Sequence, residues 1–207
     1  MPAKRGRQKR TYHHGDLAAA LLEAAEAELI ESGIEAFSLR SVAKRAGVSH
    51  GAPAHHFTDA KGLLTALAAD GYRRLSAAQK ERQETAAPDP VAQFVASGLG
   101  YIDFAEANPA LFRLMFSSER PDRTDPFFAE ASQATYADLV MGARSVVEDA
   151  SPEAASHQLT ASWALAHGLS DLLISGRLSG PLGEAAQKSK RRDEVFSGIL
   201  MRALPAD

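Results

Sequence analysis

Apolar residues recur at helical spacing through most of the chain. Within residues 16–32, Leu17, Leu21, Ala25 and Leu29 follow one another at intervals of four, which places them on one face of an α-helix. Residues 193–204 carry a similar but wider apolar stripe. No segment shows the sustained alternation of apolar and polar residues that a half-buried strand requires. The pattern therefore predicts an all-α fold of about nine helices.

Four helix starts are marked by a capping residue followed by proline. Asp89, Asn108, Asp125 and Ser151 each precede a proline, and this order suits the N-cap and first position of a helix. The helices that these signals predict cover residues 90–107, 109–117, 126–149 and 152–175. Residues 85–89 are predicted to join two regions, and residues 117–124 and 175–189 to form loops.

Residues 37–64 predict two short helices joined by a tight turn. Ser38 can cap the first helix, whose inward positions are apolar, and Gly47 permits the turn. Either Ser49 or His50 can cap the second helix, which ends near residues 56–57. Pro53 lies inside this second helix and makes it short, with a late start near His50. Two short helices with a glycine turn between them are typical of a helix-turn-helix motif. A generic two-helix hairpin is the alternative.

A long helix follows the motif. Either Thr58 or Asp59 can cap it, and its pattern continues through Arg82.

The segment SLRSVAKRAGVSHGAPAHHFTDAKGLLTAL resembles the DNA-binding domain of the tetracycline-repressor-like (TetR) family. The resemblance covers residues 15–75, and the spacing from A-x-x-A-G-V-S to H-F to L-L is intact. Trp163, His167 and Gly168 also resemble the Trp-x-x-x-His-Gly run of one type of TetR C-terminal domain. The resemblance implies a homodimeric transcription regulator with an N-terminal domain for a palindromic operator and a C-terminal domain for a small molecule.

The resemblance also assigns residues to double-stranded DNA. Arg40 falls where family members place a side chain on a base edge, and its fork suits the O6 and N7 atoms of guanine. His55 and His56 fall at phosphate-binding positions. Lys61 stands one residue after the position of the family's usual lysine. The expected DNA-binding residues of the motif and the next helix are Ser38, Arg40, Ser49, His50, Gly51, Ala52, His55, His56 and Lys61.

Charge is distributed unevenly along the chain. The whole sequence has a net charge of −3, with 23 basic and 26 acidic residues, but residues 1–75 are net positive. Residues 1–14 form a basic arm, predicted to be disordered, in which Lys4, Arg5, Arg7, Lys9 and Arg10 stand without an acidic residue. Such an arm favours a polyanionic partner, and Arg5 and Arg7 are expected to contact DNA. A solvated terminus without a partner is the alternative.

The sequence shows none of the catalytic motifs that would indicate an enzyme. It contains no cysteine and no H-E-x-x-H, Gly-rich phosphate loop or G-x-S-x-G motif. Adjacent histidines such as His55 and His56 do not face each other on a helix. We therefore expect no catalysis, no cofactor and no metal site. The absence of a long apolar run or of an apolar segment after the basic terminus predicts a cytoplasmic protein that neither enters a membrane nor is secreted.

Residues 76–207 are interpreted as a ligand-binding and dimerisation domain, following the arm (1–14) and the DNA-binding domain (15–75). Its aromatic residues can form either a helix-bundle core or an apolar ligand pocket. His167 can likewise pair with Asp171 or a backbone carbonyl, or contact a ligand. The residues expected in a pocket are Phe94, Phe104, Phe112, Phe116, Phe127, Trp163 and His167.

Residues 159–174 are apolar around most of the helix circumference, so the helix needs cover on more than one side. The stripe of residues 193–204 has the same need. Two such helices from each of two chains predict a four-helix interface with two-fold symmetry. A helix fully buried within a monomer is the alternative. The residues expected in this interface are Leu165, Leu169, Leu172, Phe196, Ile199 and Leu200. Two functions remain open: a regulator, most simply a repressor, released by a small molecule, or a constitutive or architectural DNA-binding protein whose C-terminal half only dimerises.

Overall fold

A computed structural model describes residues 14–147, 151–180, 182 and 191–204. Nine α-helices and no strand occur in this part of the chain, which confirms the predicted all-α class. A 3₁₀ turn, Met201–Ala203, follows the ninth helix. The basic arm residues Lys4, Arg5, Arg7, Lys9 and Arg10 lie outside the described residues. The helices are α1 (His14–Ser32), α2 (Leu39–Ala46), α3 (Ala52–Phe57), α4 (Ala60–Glu84), α5 (Pro90–Ala107), α6 (Pro109–Phe116), α7 (Pro126–Ser145), α8 (Pro152–Ile174) and α9 (Arg192–Leu200).

The proline signals locate four helix starts. The side chains of Asp89, Asp125 and Ser151 each accept a hydrogen bond from an amide in the first turn of their helix, as their N-cap role predicts. Asn108 differs, because its side-chain oxygen accepts from Arg74 and its amide donates to the Phe104 carbonyl at 2.9 Å. Helix α6 therefore begins at its proline without a side-chain cap.

The chain divides into two compact units, and the division at Leu63/Leu64 falls inside α4. In the first unit, α2 packs against α1 and α3. Its core contains Leu21, Leu29 and Val42, all nearly or fully buried. The apolar stripe predicted along α1 is therefore its packed face.

In the second unit, α5 and α8 pack against each other and both contact α7, while α9 packs on α5 and α8. The remainder of α4 approaches α5 so closely that a Cβ atom at Gly100 would lie 2.6 Å from the Cα of Gln79. Glycine at this position is thus what lets the two helix backbones meet. None of the described helices is long and apolar enough to cross a membrane.

A network of ion pairs joins α9 to the helices beneath it. Arg82 of α4 contacts Asp103 of α5 at 2.5 Å and Asp193 of α9 at 2.6 Å. Arg192 contacts Asp103 at 2.9 Å and Glu106 at 2.8 Å. The network fixes the start of α9 within its own chain.

Of the six residues predicted for a dimer interface, three are buried within the chain and three are at least partly exposed. Leu169, Phe196 and Leu200 are buried in the core of the chain, so their assignment to a surface is corrected. Phe196 lies beneath the Arg192 guanidinium at 5.1 Å, and Leu200 packs against Gly98. The other three, Leu165, Leu172 and Ile199, keep partial or full exposure.

Candidate functional site

The first motif helix is capped and ended as its sequence predicts. The Ser38 hydroxyl accepts a hydrogen bond from the Ser41 amide at 3.2 Å, which identifies Ser38 as the N-cap of α2. Gly47 ends the helix with φ +68°, in the left-handed region that favours glycine. The Val48 amide then bonds the Ala43 carbonyl at 3.0 Å. These contacts fix the turn between α2 and α3.

The second motif helix begins two residues later than predicted. Helix α3 starts at Ala52 with Gly51 at the N-cap, so neither Ser49 nor His50 caps it. Pro53 lies in the first turn of the helix, where an amide has no intrahelical partner to lose. Proline therefore moves the helix start without breaking the helix. The predicted end at Phe57 is confirmed.

Helix α4 begins immediately after α3. The Asp59 side chain accepts from the Gly62 amide at 2.7 Å, so Asp59, rather than Thr58, caps α4. Thr58 adopts φ +67°, an uncommon conformation for a β-branched residue. It is the C-cap of α3, and its amide donates to the Ala54 carbonyl.

The residues expected to contact DNA occupy α2, the turn, α3 and the first turn of α4. Six of them are exposed, and Ser38, Ala52 and His56 are partly exposed. The exposed six are Arg40, Ser49, His50, Gly51, His55 and Lys61. One continuous stretch of chain thus presents a guanidinium, imidazoles and an ammonium group to solvent.

Arg45 has a different role, which sequence reasoning missed. Its guanidinium pairs with Glu28 at 3.2 Å and also with Glu31, both on α1. Glu28 is almost fully buried, and a buried carboxylate needs a hydrogen-bonded partner. These two carboxylates raise the pKa of Arg45. The sequence signal is the place of Glu28 beside Leu29, at the edge of the apolar stripe of α1.

A cavity of about 300 Å³ lies within the second unit. Its volume is at the lower end of the range for small-molecule sites. Aromatic side chains from α4, α5, α6, α7 and α8 line it, together with small polar and aliphatic ones. The lining residues are Tyr72, Leu75, Gln79, Phe94, Val95, Ser97, Gly98, Tyr101, Phe116, Ser132, Gln133, Thr135, Tyr136, Leu139, Ser162, Trp163, Ala166, Leu200 and Leu204.

Three of the seven residues predicted for a pocket line this cavity: Phe94, Phe116 and Trp163. Phe104 and Phe112 are buried in the core outside its lining. Phe127 is 70% exposed, because its neighbour Phe128 takes the inward position on α7. Nothing in the sequence distinguishes these adjacent phenylalanines, which lie about 100° apart on the helix.

His167 lies behind the lining, and its Nδ1 atom is 2.8 Å from the Tyr101 hydroxyl. The side chain of His167 is therefore hydrogen-bonded to Tyr101, and not to Asp171. Phe112 stacks on the imidazole at 5.1 Å between ring centroids. Burial lowers the pKa of His167, and the nearby negative charge of Asp171 opposes this only in part. Burial also raises the pKa of Tyr101 well above its usual range. The pair is therefore uncharged at neutral pH.

Histidine and carboxylate side chains form no metal-binding cluster in the parts of the chain that the structure describes. No group of three or more of them is arranged there to hold a metal ion.

Two family models match the chain in its two halves. Residues 21–67 match "Bacterial regulatory proteins, tetR family", which covers α2, the turn and α3. Residues 94–192 match "Tetracyclin repressor-like, C-terminal domain". The first match contains most of the residues expected to contact DNA, and the second contains much of the cavity lining.

Known proteins resemble the chain in sequence and in fold. An "HTH-type transcriptional regulator BetI" of Yersinia pestis (strain Pestoides F) is 36% identical over 94 residues, 45% of this chain and 48% of that protein. The match thus spans about half the length of this curated relative. A Rhodococcus sp. RHA1 protein of unknown function is 33% identical, with a TM-score of 0.76 over 96% of this chain and 100% of its own. A "TetR family transcription regulator" of Marinobacter aquaeolei VT8, 18% identical, shares the fold with a TM-score of 0.66, over 91% of this chain and 95% of its own.

Proposed function

Since this chain belongs to the TetR family of transcription regulators, we propose that it is a ligand-responsive repressor. It binds a palindromic operator as a homodimer and leaves the operator when a small molecule fills the cavity. The observation that carries the proposal is the coexistence of a helix-turn-helix face with exposed cationic and imidazole groups and an uncharged cavity in the other unit. DNA binding in the cytoplasm is assigned to residues 15–75, and ligand binding and dimerisation to residues 76–207.

Arg40 reads a guanine, and the histidines of α3 donate to phosphates. Arg40 is exposed and has no ion pair among the described residues, so its guanidinium is available for a base edge. His55 and Lys61 supply contacts that position the protein without reading sequence. Arg5 and Arg7 of the arm add sequence-independent affinity that weakens with salt.

The cavity can influence DNA binding through α4. Tyr72, Leu75 and Gln79 line the cavity, and they belong to the helix that begins at Ala60, directly after the motif. A ligand acts by binding one conformation of the protein more tightly than the other. Operator DNA must then weaken ligand binding by the same factor.

The Trp-x-x-x-His-Gly run is part of the proposal for the second unit. Trp163 lines the cavity and His167 holds the Tyr101 hydroxyl from behind. The run thus supports a ligand-binding role, while the exposed positions of α8 support pairing with a second copy.

The proposal is tested by selecting operators from random duplex DNA with the full chain. We expect enrichment of a palindrome whose half-sites lie about one helical turn, or a multiple of it, apart. Compounds are then screened for release of that operator. Enrichment of no palindrome contradicts operator binding. A palindrome that no cavity-binding compound releases supports instead a constitutive regulator whose C-terminal half only dimerises.

A further inference from the structure

The cavity carries no formal charge. None of its lining residues is Lys, Arg, Asp, Glu or His, and six of them are aromatic. A charged ligand would lose its hydration here without gaining a counter-ion. Contact between a cation and an aromatic face returns only part of that loss. The lining therefore favours an uncharged molecule with a large apolar surface.

Tyr72 brings a buried polar group to this lining without an internal partner. The residue is 8% exposed, and its ring packs edge-on against Phe116 and Phe128 at centroid distances of 5.6 and 5.5 Å. These contacts hold the ring in place. Its hydroxyl makes no hydrogen bond with any residue that the structure describes. A buried hydroxyl in this condition is unfavourable until water or a ligand supplies an acceptor.

Five other hydroxyl groups of the lining are hydrogen-bonded within the protein, while Gln133 and Tyr136 are exposed to solvent. The Tyr101 hydroxyl is bonded to His167 at 2.8 Å, and the Thr135 hydroxyl to Ser76 at 2.8 Å. The Ser132 hydroxyl donates to the Ala129 carbonyl, the Ser162 hydroxyl accepts from Gln158, and the Ser97 hydroxyl accepts from Gln79. Tyr72 thus differs from these residues, because its buried hydroxyl has no hydrogen-bond partner among the described residues.

The hydroxyl of Tyr72 is a donor at neutral pH. Burial raises the pKa of Tyr72, and the nearby positive charge of Arg123 lowers it only in part. A neutral phenol offers its proton to an acceptor.

We propose that the cavity binds an uncharged aromatic molecule carrying an acceptor oxygen, to which the Tyr72 hydroxyl donates a hydrogen bond. The rings of the ligand lie among Phe94, Tyr101, Phe116 and Trp163. This inference rests on the proposed function of the cavity as an effector site, and it names the class of effector.

The test is calorimetric titration of the full chain, without DNA, with four probes that share a naphthalene frame. These are 2-methoxynaphthalene, its hydrocarbon isostere 2-ethylnaphthalene, 2-naphthoate and a 2-naphthyltrimethylammonium salt. We expect the ether to bind about five- to tenfold more tightly than the hydrocarbon, the range of one hydrogen bond. Neither ion should bind measurably.

The substitution Tyr72→Phe should remove the preference for the ether and leave binding of the hydrocarbon unchanged within about twofold. Tyr136→Phe is the matched control, because Tyr136 also lines the cavity but is 48% exposed. It should retain the preference. Thermal unfolding of each variant verifies that the fold is kept.

Three results would overturn the inference: an ion that binds as tightly as the ether, a preference that survives Tyr72→Phe, or no binding of either neutral probe. A separate operator-release assay tests the proposed function. If the ether binds through Tyr72 but never changes operator affinity, the inference stands and the ligand-responsive role fails. If a charged compound bound in the cavity releases the operator while the ether does not bind, the ligand-responsive role stands and the inference about the class of effector fails.

Discussion

Two arginines of α2 show that neighbouring residues determine whether a cationic side chain forms an internal ion pair or remains exposed to solvent. Arg45 is held by Glu28 and Glu31, so its charge is neutralised within the first unit. Arg40, five residues earlier, is exposed and has no such pair among the described residues. Residue type alone does not separate these roles, since both are cations on the same short helix.

Arg40→Ala should relax the preference at one base pair of each half-site by about 1–3 kcal/mol, because a bidentate guanine contact is lost. His55→Ala, by contrast, should weaken all sequences about equally, because phosphates carry no sequence information. Fluorescence anisotropy with the operator and its single-base-pair variants measures both effects. Retention of every base preference by Arg40→Ala would refute the assigned contact.

His167 should make stability sensitive to mild acid. Its pKa is lowered in the folded state, so below about pH 6.5 the unfolded chain binds a proton that the folded chain does not. The free energy of unfolding should therefore fall as the pH decreases from 7 to 5.

Chemical denaturation of wild type and His167→Gln over this pH range measures the effect. Glutamine cannot titrate, so this variant should show a weaker pH dependence. His157→Gln is the control, since His157 is exposed on the same helix. Equal pH profiles for wild type and His167→Gln would contradict the assignment.

At the level of helices, signals close to a helix end predict well and signals that depend on distant packing do not. The starts of α5, α7 and α8 follow from a capping side chain and a proline, which act within one turn. The prediction for the start of α3 is two residues early, because a proline is compatible with more than one position in a first turn.

The candidate cavity shows the same division. Sequence composition predicts an apolar, aromatic second unit, but helix phase cannot tell which of two adjacent residues such as Phe127 and Phe128 points inward. The assignment of Phe196 and Leu200 to a partner surface is wrong because a wide apolar stripe does not reveal which helix covers it. Sequence reasoning does not single out Tyr72, since nothing local distinguishes it from a tyrosine that faces solvent.

The crossing of α4 and α5 gives a sharp test of packing. Gly100→Ala would place a methyl group 2.6 Å from the Cα of Gln79, and backbone atoms cannot yield as a flexible side chain does. We expect a loss of about 1–3 kcal/mol in the free energy of unfolding. Urea denaturation is the measurement.

Gly198→Ala provides the matched control for this change. Gly198 lies on α9, and nothing lies within 4 Å of the position that a Cβ atom would occupy there. Alanine at this position should therefore stabilise by about 0.5–1 kcal/mol through helix propensity. Similar changes in the free energy of unfolding for the two variants would show that the close approach of α4 and α5 does not exclude a side chain at Gly100.

At the scale of the whole molecule, α8 leaves apolar groups uncovered within a single chain. Leu172 is 38% exposed, and the small residues Ala161 and Ala164 lie at the surface on the same side of the helix. Such a face supports a second copy of the chain as its cover. The proposed palindrome requires the same two-fold symmetry.

Leu172→Arg should shift the mass measured by light scattering from about twice 22 kDa toward that of one chain of 22.1 kDa. It should also abolish operator binding. Because Leu172 is exposed within the chain, circular dichroism should show an unchanged fold. Phe127→Arg is the control, and it should leave the mass unchanged despite greater exposure. A wild-type mass near 22 kDa would refute the dimer.

The cavity lining begins at Tyr72, and none of its residues comes from the first 63. The residues proposed to recognise DNA within the motif and those proposed to recognise a ligand therefore lie in separate segments of the sequence. If the cavity is the effector site proposed above, mutational drift or a designed library confined to the lining would change the effector while the operator remains the same. A reporter built on one fixed promoter could accordingly be retuned to new compounds, with α4 as the segment in which substitutions must respect both recognition events.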